Sequence, residues 1–236
     1  MRKTTQRLKD KDCWRLPLRT FSGDYLDRAI KRTGLYDIAL TELIWKLTNS
    51  VGLQVDVGAN IGYITRLMLR KTQSGGRVYS FECNPEILPV LQENIHCLNY
   101  AGKWSLVAKA AGDQMGKIEL ERPAIYANNK GTAYTTHIPS ANSTTIDQVT
   151  LDNYFSEGHK IDLLKIDVEG AEERVLMGAQ NLLRTKRIDH IIYEDHAGYP
   201  SKVGSLLEEY GYTIYAIQKG WWGLKLKRAY CRHFLA

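Results

Sequence analysis

Leu53-Gln54-Val55-Asp56-Val57-Gly58-Ala59-Asn60-Ile61-Gly62-Tyr63 is the segment whose residue types and spacing point most directly to chemistry. An apolar run ends in Asp56, breaks at a glycine turn and passes into a stretch where Ile61, Ile64, Leu67 and Met68 recur at helical spacing. A glycine turn opening a helix lets backbone N–H groups approach a ligand that a Cβ would hold away. The spacing is G-x-x-x-G with an acid ahead of it, not the three-glycine fingerprint of dinucleotide sites. It therefore disfavours an NAD-dependent oxidoreductase. A carboxylate at that point suits a cationic amino group better than a pyrophosphate, and S-adenosylmethionine (SAM) is a ligand of that kind.

Other acids share the pattern. Arg77-Val78-Tyr79-Ser80-Phe81-Glu82 reads as the next strand and ends in Glu82, about 20 residues beyond Gly62, where doubly wound folds place a carboxylate on ribose hydroxyls. NAD and SAM sites both use that device. Ile161 to Ile166 reads as a buried strand ending at Asp167, with Gly170 and a helix behind it. His190 to Glu194 reads as another strand, followed by Asp195 and His196. Because ligands of open α/β sheets bind beyond the carboxyl ends of the strands, Asp56, Glu82, Asp113, Asp167 and Glu194 are expected along one edge. Glu169 and Glu172 read as acids favoured at a helix N-terminus. An alcohol acceptor needs a base within reach, and Asp167, Glu194, Asp195 and His196 are the candidates. A divalent metal on Asp167, Glu194 and His196 is chemically possible but not favoured, since three such ligands make no decisive pattern.

These residues need a scaffold, and the rest of the chain supplies one. Residues 1–33 form a basic extension with a short helix expected at Tyr25 to Arg32. A second helix is expected through Ala39, Leu40, Leu43, Ile44 and Leu47, and the alternation of strands and helices begins at Leu53. A third helix should follow Asn84-Pro85, and a third strand should span Leu106 to Ala110. Residues 114–150 show weak periodicity and read as an irregular insertion, proposed to select the acceptor together with Trp221 and Trp222. Glu172 to Leu183 reads as one helix, and Tyr212 to Ile217 and Leu224 to Lys227 as a closing hairpin around Gly220 to Gly223. The expected fold is α/β, a Rossmann-like three-layer sandwich whose mostly parallel seven-stranded sheet ends in an antiparallel C-terminal edge strand.

At 236 residues the chain suits one such domain spanning 34–236 behind its extension. No apolar run reaches the roughly 18 residues of a membrane span. Cys13, Cys83, Cys97 and Cys231 contain no C-x-x-C pair and read as reduced thiols of a cytoplasmic protein. The net charge of +6 permits nucleic-acid binding, yet it gathers in the first 32 residues and at Lys225 to Arg228, where solvated basic ends explain it. No Asn/Asp-Pro-Pro-aromatic motif of base N-methyltransferases is present.

The chain resembles the FkbM family of SAM-dependent O-methyltransferases. The resemblance rests on Val55 to Gly62, Ser80 to Pro85, Ala110 to Asp113, Leu151-Asp152, Leu164 to Glu172 and Val175 to Ala179, with Gly34 to Asp37 as lead-in. Glutamate is more usual where Asp37 stands, and proline where Cys83 stands. The resemblance implies a class I methyltransferase fold. Asp56, Gly58, Ala59, Asn60 and Gly62 would lie on the methionine moiety of SAM, Glu82 at the ribose hydroxyls and Asp113 at the adenine edge, with Asn84 and Asp167 also in the cofactor site. Such families methylate hydroxyls of sugars, glycolipids or secondary metabolites, so the implied partner is a small-molecule or glycan acceptor. A nucleic-acid methyltransferase and a non-catalytic SAM-binding protein remain the alternatives.

Overall fold

The computed structural model describes residues 18–97, 102–127, 129–155, 158–220, 223–228 and 233–235. Cys13, Cys231, Trp221 and Trp222 lie outside them. Helices α1 (Tyr25–Thr33) and α2 (Ile38–Leu47) precede the alternating core. That core runs β1 (Leu53–Val57), α3 (Tyr63–Lys71), β2 (Arg77–Phe81), α4 (Leu88–His96) and β3 (Trp104–Val107). Then come β4 (Ala110–Ala111), β5 (Gly116–Glu121), β6 (Tyr134–Thr136), β7 (Ser143–Val149) and α5 (Leu151–Tyr154). The remainder is β8 (Ile161–Ile166), α6 (Glu172–Met177), α7 (Gln180–Arg184), β9 (Ile188–Glu194), α8 (Lys202–Glu209), β10 (Tyr215–Gly220), β11 (Gly223–Arg228) and β12 (His233–Leu235).

The main sheet is ordered β11-β10-β12-β9-β8-β1-β2-β3. Its run from β9 to β3 is parallel. Successive residues of a strand face opposite ways, so both faces of this run are apolar and both are covered. Leu164 and Ile191 pack with Leu176, Leu182 and Leu207 of the later helices, whereas Leu163 and Ile192 pack with Leu43, Leu67, Met68 and Leu91 of the earlier ones.

The expected seven strands are eight among the described residues. The hairpin β10–β11 forms and β11 is the antiparallel edge. The additional strand is β12, which pairs antiparallel with both β9 and β10 inside the sheet. Three residues are too few to show a period, which hid it in the sequence.

The 114–150 segment is only partly irregular, since β5, β6 and β7 lie within it. Together with β4 it folds into a second sheet ordered β4-β7-β5-β6. Its strands are tied by polar cross-strand pairs: Ser143 and Thr145 hydroxyls donate to Glu119 and Lys117 pairs with Asp147. Ile118, Leu120 and Val149 are buried. A sheet held so largely by polar pairs carries little hydrophobic alternation to read. The third strand also ends earlier than expected, at Val107, and Ala110 and Ala111 pair with β7 instead.

The helix expected over Glu172 to Leu183 breaks at Gly178. A Cβ there would stand 1.9 Å from the Gly112 carbonyl oxygen, and the Gly178 carbonyl accepts the Asp152 N–H at 2.9 Å. The Asp152 carboxylate then accepts the Asn181 and Leu182 N–H groups, starting α7 afresh. Residues 18–33 do not stand apart from the domain: Leu18, Phe21 and Leu26 pack on Ile61, Ile87 and Val90. No helix among the described residues is long and apolar enough to cross a membrane.

Candidate active site

One cavity lies beyond the carboxyl ends of β1, β2, β8 and β9, where α1, Tyr36 of the connection to α2 and the segment before β6 close around it. Of the residues singled out in the sequence, Gly58, Ala59, Asn60, Glu82, Asn84, Asp167 and Glu194 line it. Tyr25, Tyr36, Lys109, Lys130, Tyr134 and Glu169 line it too. Asp56, Gly62, Asp113 and His196 are not on its wall.

The β1–α3 turn is built against the end of β8. Gly58 has φ +73°, and a Cβ there would fall 1.8 Å from the Asp167 carbonyl oxygen, so only glycine lets the two strand ends approach this closely. The amide N–H groups of the turn are all used internally. Those of Gly58 and Ala59 donate to the Phe81 carbonyl, and that of Gly62 to Ala59. The Asn60 N–H donates to Glu82 and the Ile61 N–H to the Asn60 side chain. The turn was expected to offer amide donors to a ligand; it keeps them, and it is no cradle for a pyrophosphate.

Asp56 lies beneath this turn and is fully buried. One carboxylate oxygen accepts the Thr65 hydroxyl at 2.7 Å, and the other stands 3.2 Å from Lys165 Nζ. Lys165 Nζ also donates to the Gly58 carbonyl at 2.8 Å and stands 3.5 Å from the Asp167 carboxylate. Burial opposes the ammonium charge, but the charges of Asp56 and Asp167 outweigh it and hold Lys165 above the ordinary lysine range. Sequence reasoning missed Lys165. Its signal was a lysine inside the otherwise apolar run Leu163-Leu164-Lys165-Ile166, which is stable only where carboxylates meet it.

Glu82 accepts N–H bonds from Cys83 and Asn84 on one oxygen and from Asn60 on the other. Burial raises its pKa although those bonds oppose it. Asn84 donates to the Tyr126 hydroxyl at 3.1 Å. Asp113 does not join the other strand-end acids: because the chain leaves the main sheet at Val107, its carboxylate lies in the second sheet, 3.1 Å from Gln148 Nε2.

At the β8 and β9 ends, burial first, then the charge of Asp167, a hydrogen bond to it and the charge of Glu169 push Glu194 up to about 8, against the pull of Lys165. Glu169 is raised by burial and by Asp167, with His196 opposing. The His196 imidazole is 54% exposed, and its Nε2 stands 3.6 Å from the Glu169 carboxylate. Asp195 accepts the Ala197 N–H and turns away from the cavity. Among the described residues no group of three or more His, Cys, Asp and Glu side chains is arranged to hold a metal ion. Asp167, Glu194 and His196 do not converge on a point, because His196 faces Glu169 instead.

Glu194 carries a stability signature with a definite sign. The folded state keeps a proton there that the unfolded chain releases near the ordinary value of 4.5. Over that interval the native state binds more protons, so this contribution to stability declines as pH rises from about 4.5 to about 8. Glu194→Gln cannot titrate, and its melting temperature should fall less steeply than the wild type's between about pH 5 and 8.5. Parallel curves for the two proteins would show that Glu194 titrates as an ordinary carboxylate.

The family model for the methyltransferase FkbM domain matches residues 56–214. The chain belongs to the FkbM methyltransferase family. The hexuronic acid methyltransferase AglP of Haloferax volcanii is 32% identical over 157 residues, 65% of this chain and 60% of that protein. The crystal structure of Methyltransferase FkbM from Methylobacillus flagellatus KT superposes with a TM-score of 0.51 at 16% identity, covering 98% of this chain and 59% of that one. The chain thus spans about three fifths of the length of either relative. The parallel run with an antiparallel strand inserted beside it is the class I methyltransferase fold. Residues 18–55, including α1 and α2, stand outside the stretch matched by the FkbM model.

Proposed function

We propose that this FkbM-family chain is a SAM-dependent O-methyltransferase acting on a hydroxyl of a sugar-type acceptor. The observation that carries the proposal is the convergence of Glu82, Asp167, Glu169 and Glu194 on one cavity whose glycine turn has no amide N–H to spare. A cationic ligand carrying an ammonium and a sulfonium suits a wall on which four acidic side chains gather. Gly58, Ala59 and Asn60 would hold the methionine portion of SAM, and Glu82 with Asn84 the ribose. Lys109 and Ala110, not Asp113, flank the space left for adenine. Asp56 and Gly62 support the turn from behind.

SAM, when bound, supplies an electrophilic methyl group on its sulfur. The chain's part is to position an acceptor oxygen and receive its proton. Asp167 is the proposed base. Near neutral pH Glu194 is largely protonated and donates to Asp167, fixing the orientation of that carboxylate. His196 acts through Glu169, outside the cavity. Asn129, Lys130, Gly131 and Ala133 of the β5–β6 connection, with Tyr134 and Thr135 of β6, form the acceptor-side wall. The sugar class is supported by the name of the Haloferax relative.

Calorimetry with S-adenosylhomocysteine and labelled methyl transfer to a saccharide panel test this directly, with RNA and DNA titrated against salt as the competing acceptors. Tight S-adenosylhomocysteine binding without transfer to any acceptor would leave a SAM-binding protein in place of an enzyme. Glu82→Ala should weaken S-adenosylhomocysteine by about 2–3 kcal/mol, since hydrogen bonds to a charged group are each worth roughly 1.5–3. Unchanged affinity would remove Glu82 from the cofactor site.

A further inference from the structure

Three tyrosines run from the surface to the floor of the cavity. The Tyr25 and Tyr36 rings meet edge-on with centroids 6.1 Å apart at 89°, and Tyr36 meets Tyr63 at 6.1 Å and 73°. Tyr63 is buried and exchanges a hydrogen bond with the Thr41 hydroxyl at 2.9 Å. Tyr25, at the outer end, is 60% exposed. All three line the cavity.

An exposed aromatic ring is usually free to move; this one is mounted. Asp27, itself buried, accepts from the Thr20 hydroxyl, the Gly23 N–H and the Lys31 ammonium, locking the turn that begins α1. Asp24, immediately before Tyr25, accepts the Lys130 N–H at 3.2 Å and joins that turn to the far wall of the cavity. Beneath it, burial foremost and then the charges of Asp167 and Glu194 hold the Tyr36 phenol protonated well above its ordinary range. The ladder therefore leads from an exposed, fixed ring to a hydroxyl donor beside the two carboxylates. A pyranose offers the matching surface, an apolar C–H face flanked by hydroxyls, and a tyrosine offers an apolar ring with a polar tip.

We propose that Tyr25, backed by Tyr36, is the platform on which the sugar ring of the acceptor stacks, presenting its reactive hydroxyl to Asp167 and Glu194. The platform rests on the sugar-methyltransferase proposal above and adds the residue that would select the acceptor. Tyr25 lies outside residues 56–214, so the platform belongs to this chain's own α1 and not to the stretch it shares with the family model.

The test is steady-state methyl transfer by the full chain to the best acceptor in a panel of neutral and uronic monosaccharides and disaccharides, alongside calorimetry with S-adenosylhomocysteine. Tyr25→Ala should raise the saccharide KM by about ten-fold or more while kcat stays within about three-fold, the loss expected for one stacked ring. Its affinity for S-adenosylhomocysteine should match the wild type. Tyr25→Phe and Tyr25→Trp, which keep a ring, should restore KM. A saccharide that the wild type methylates with an unchanged KM in Tyr25→Ala would overturn the platform alone. So would a loss of S-adenosylhomocysteine binding in Tyr25→Ala, which moves the ring to the cofactor, or a failure of Tyr25→Trp and Tyr25→Phe to rescue. A wild type that binds S-adenosylhomocysteine but methylates no saccharide would remove the sugar reading, and the platform with it.

Discussion

Replacing Lys165 by methionine is expected to cost about 3–5 kcal/mol of stability, the usual loss when a buried ion pair is broken from one side. Asp56 is fully buried, and the ammonium of Lys165 stands 3.2 Å from it. Methionine keeps the bulk and removes the charge, so Asp56 would be left with the Thr65 hydroxyl and no cation. The Gly58 carbonyl would lose its 2.8 Å bond at the same time, loosening the turn from the end of β8. In a domain of this size about 1 kcal/mol moves the melting temperature by roughly 2–4 °C, so thermal denaturation resolves the change easily. Adding Asp56→Asn to Lys165→Met should recover part of the loss, because the stranded charge disappears with its partner. A decrease below about 1 kcal/mol in the single variant would place this pair with exposed salt bridges, which contribute little.

Asp167→Asn should lower kcat by about 10²–10⁴-fold, the range for loss of a general base. Its S-adenosylhomocysteine affinity should change less than that of Glu82→Ala. His196→Ala provides the contrast. Its imidazole is half exposed, faces Glu169 and is not on the cavity wall, so its removal should cost less than about ten-fold in kcat, as befits a group outside hydrogen-bond reach of the substrate. If His196→Ala instead matched Asp167→Asn and abolished the acidic limb of the pH–rate profile, the base would be His196, which the order of strand ends had also allowed.

The parallel core was legible because its strands are apolar on both faces and end in acids. Leu163-Leu164 and Ile191-Ile192 announce buried strands, and Asp167 and Glu194 lie where those strands stop. Glycine spacing and Glu82 likewise located one wall of the cavity. Beyond Lys165 and β12, three more features escaped. The second sheet is joined largely by hydroxyl and charge pairs around Glu119, Lys117 and Asp147, so it shows no strong apolar period. Asp113 looked like its fellow strand-end acids, but a change of sheet two residues earlier, at Ala110–Ala111, carries it elsewhere. The break at Gly178 depends on the Gly112 carbonyl, a contact between residues 66 positions apart that no local window can contain.

The placement of β12 has a consequence for the order in which this site can come into being. His233 is the register partner of Glu194, and Phe234 that of Tyr193. As the polypeptide leaves the ribosome, β9 emerges some forty residues before the strand that flanks it, and β10 also precedes it. During that interval two neighbouring strands face each other across a missing rung, with open amide and carbonyl groups of the kind that recruit foreign strands. The carboxylate at the end of β9 is thus framed on one side early in synthesis and on the other only when residues 233–235 arrive. A nascent chain halted before them has its glycine turn and Glu82 in hand while Glu194, one of the four acids of the wall, still lacks the strand beside it.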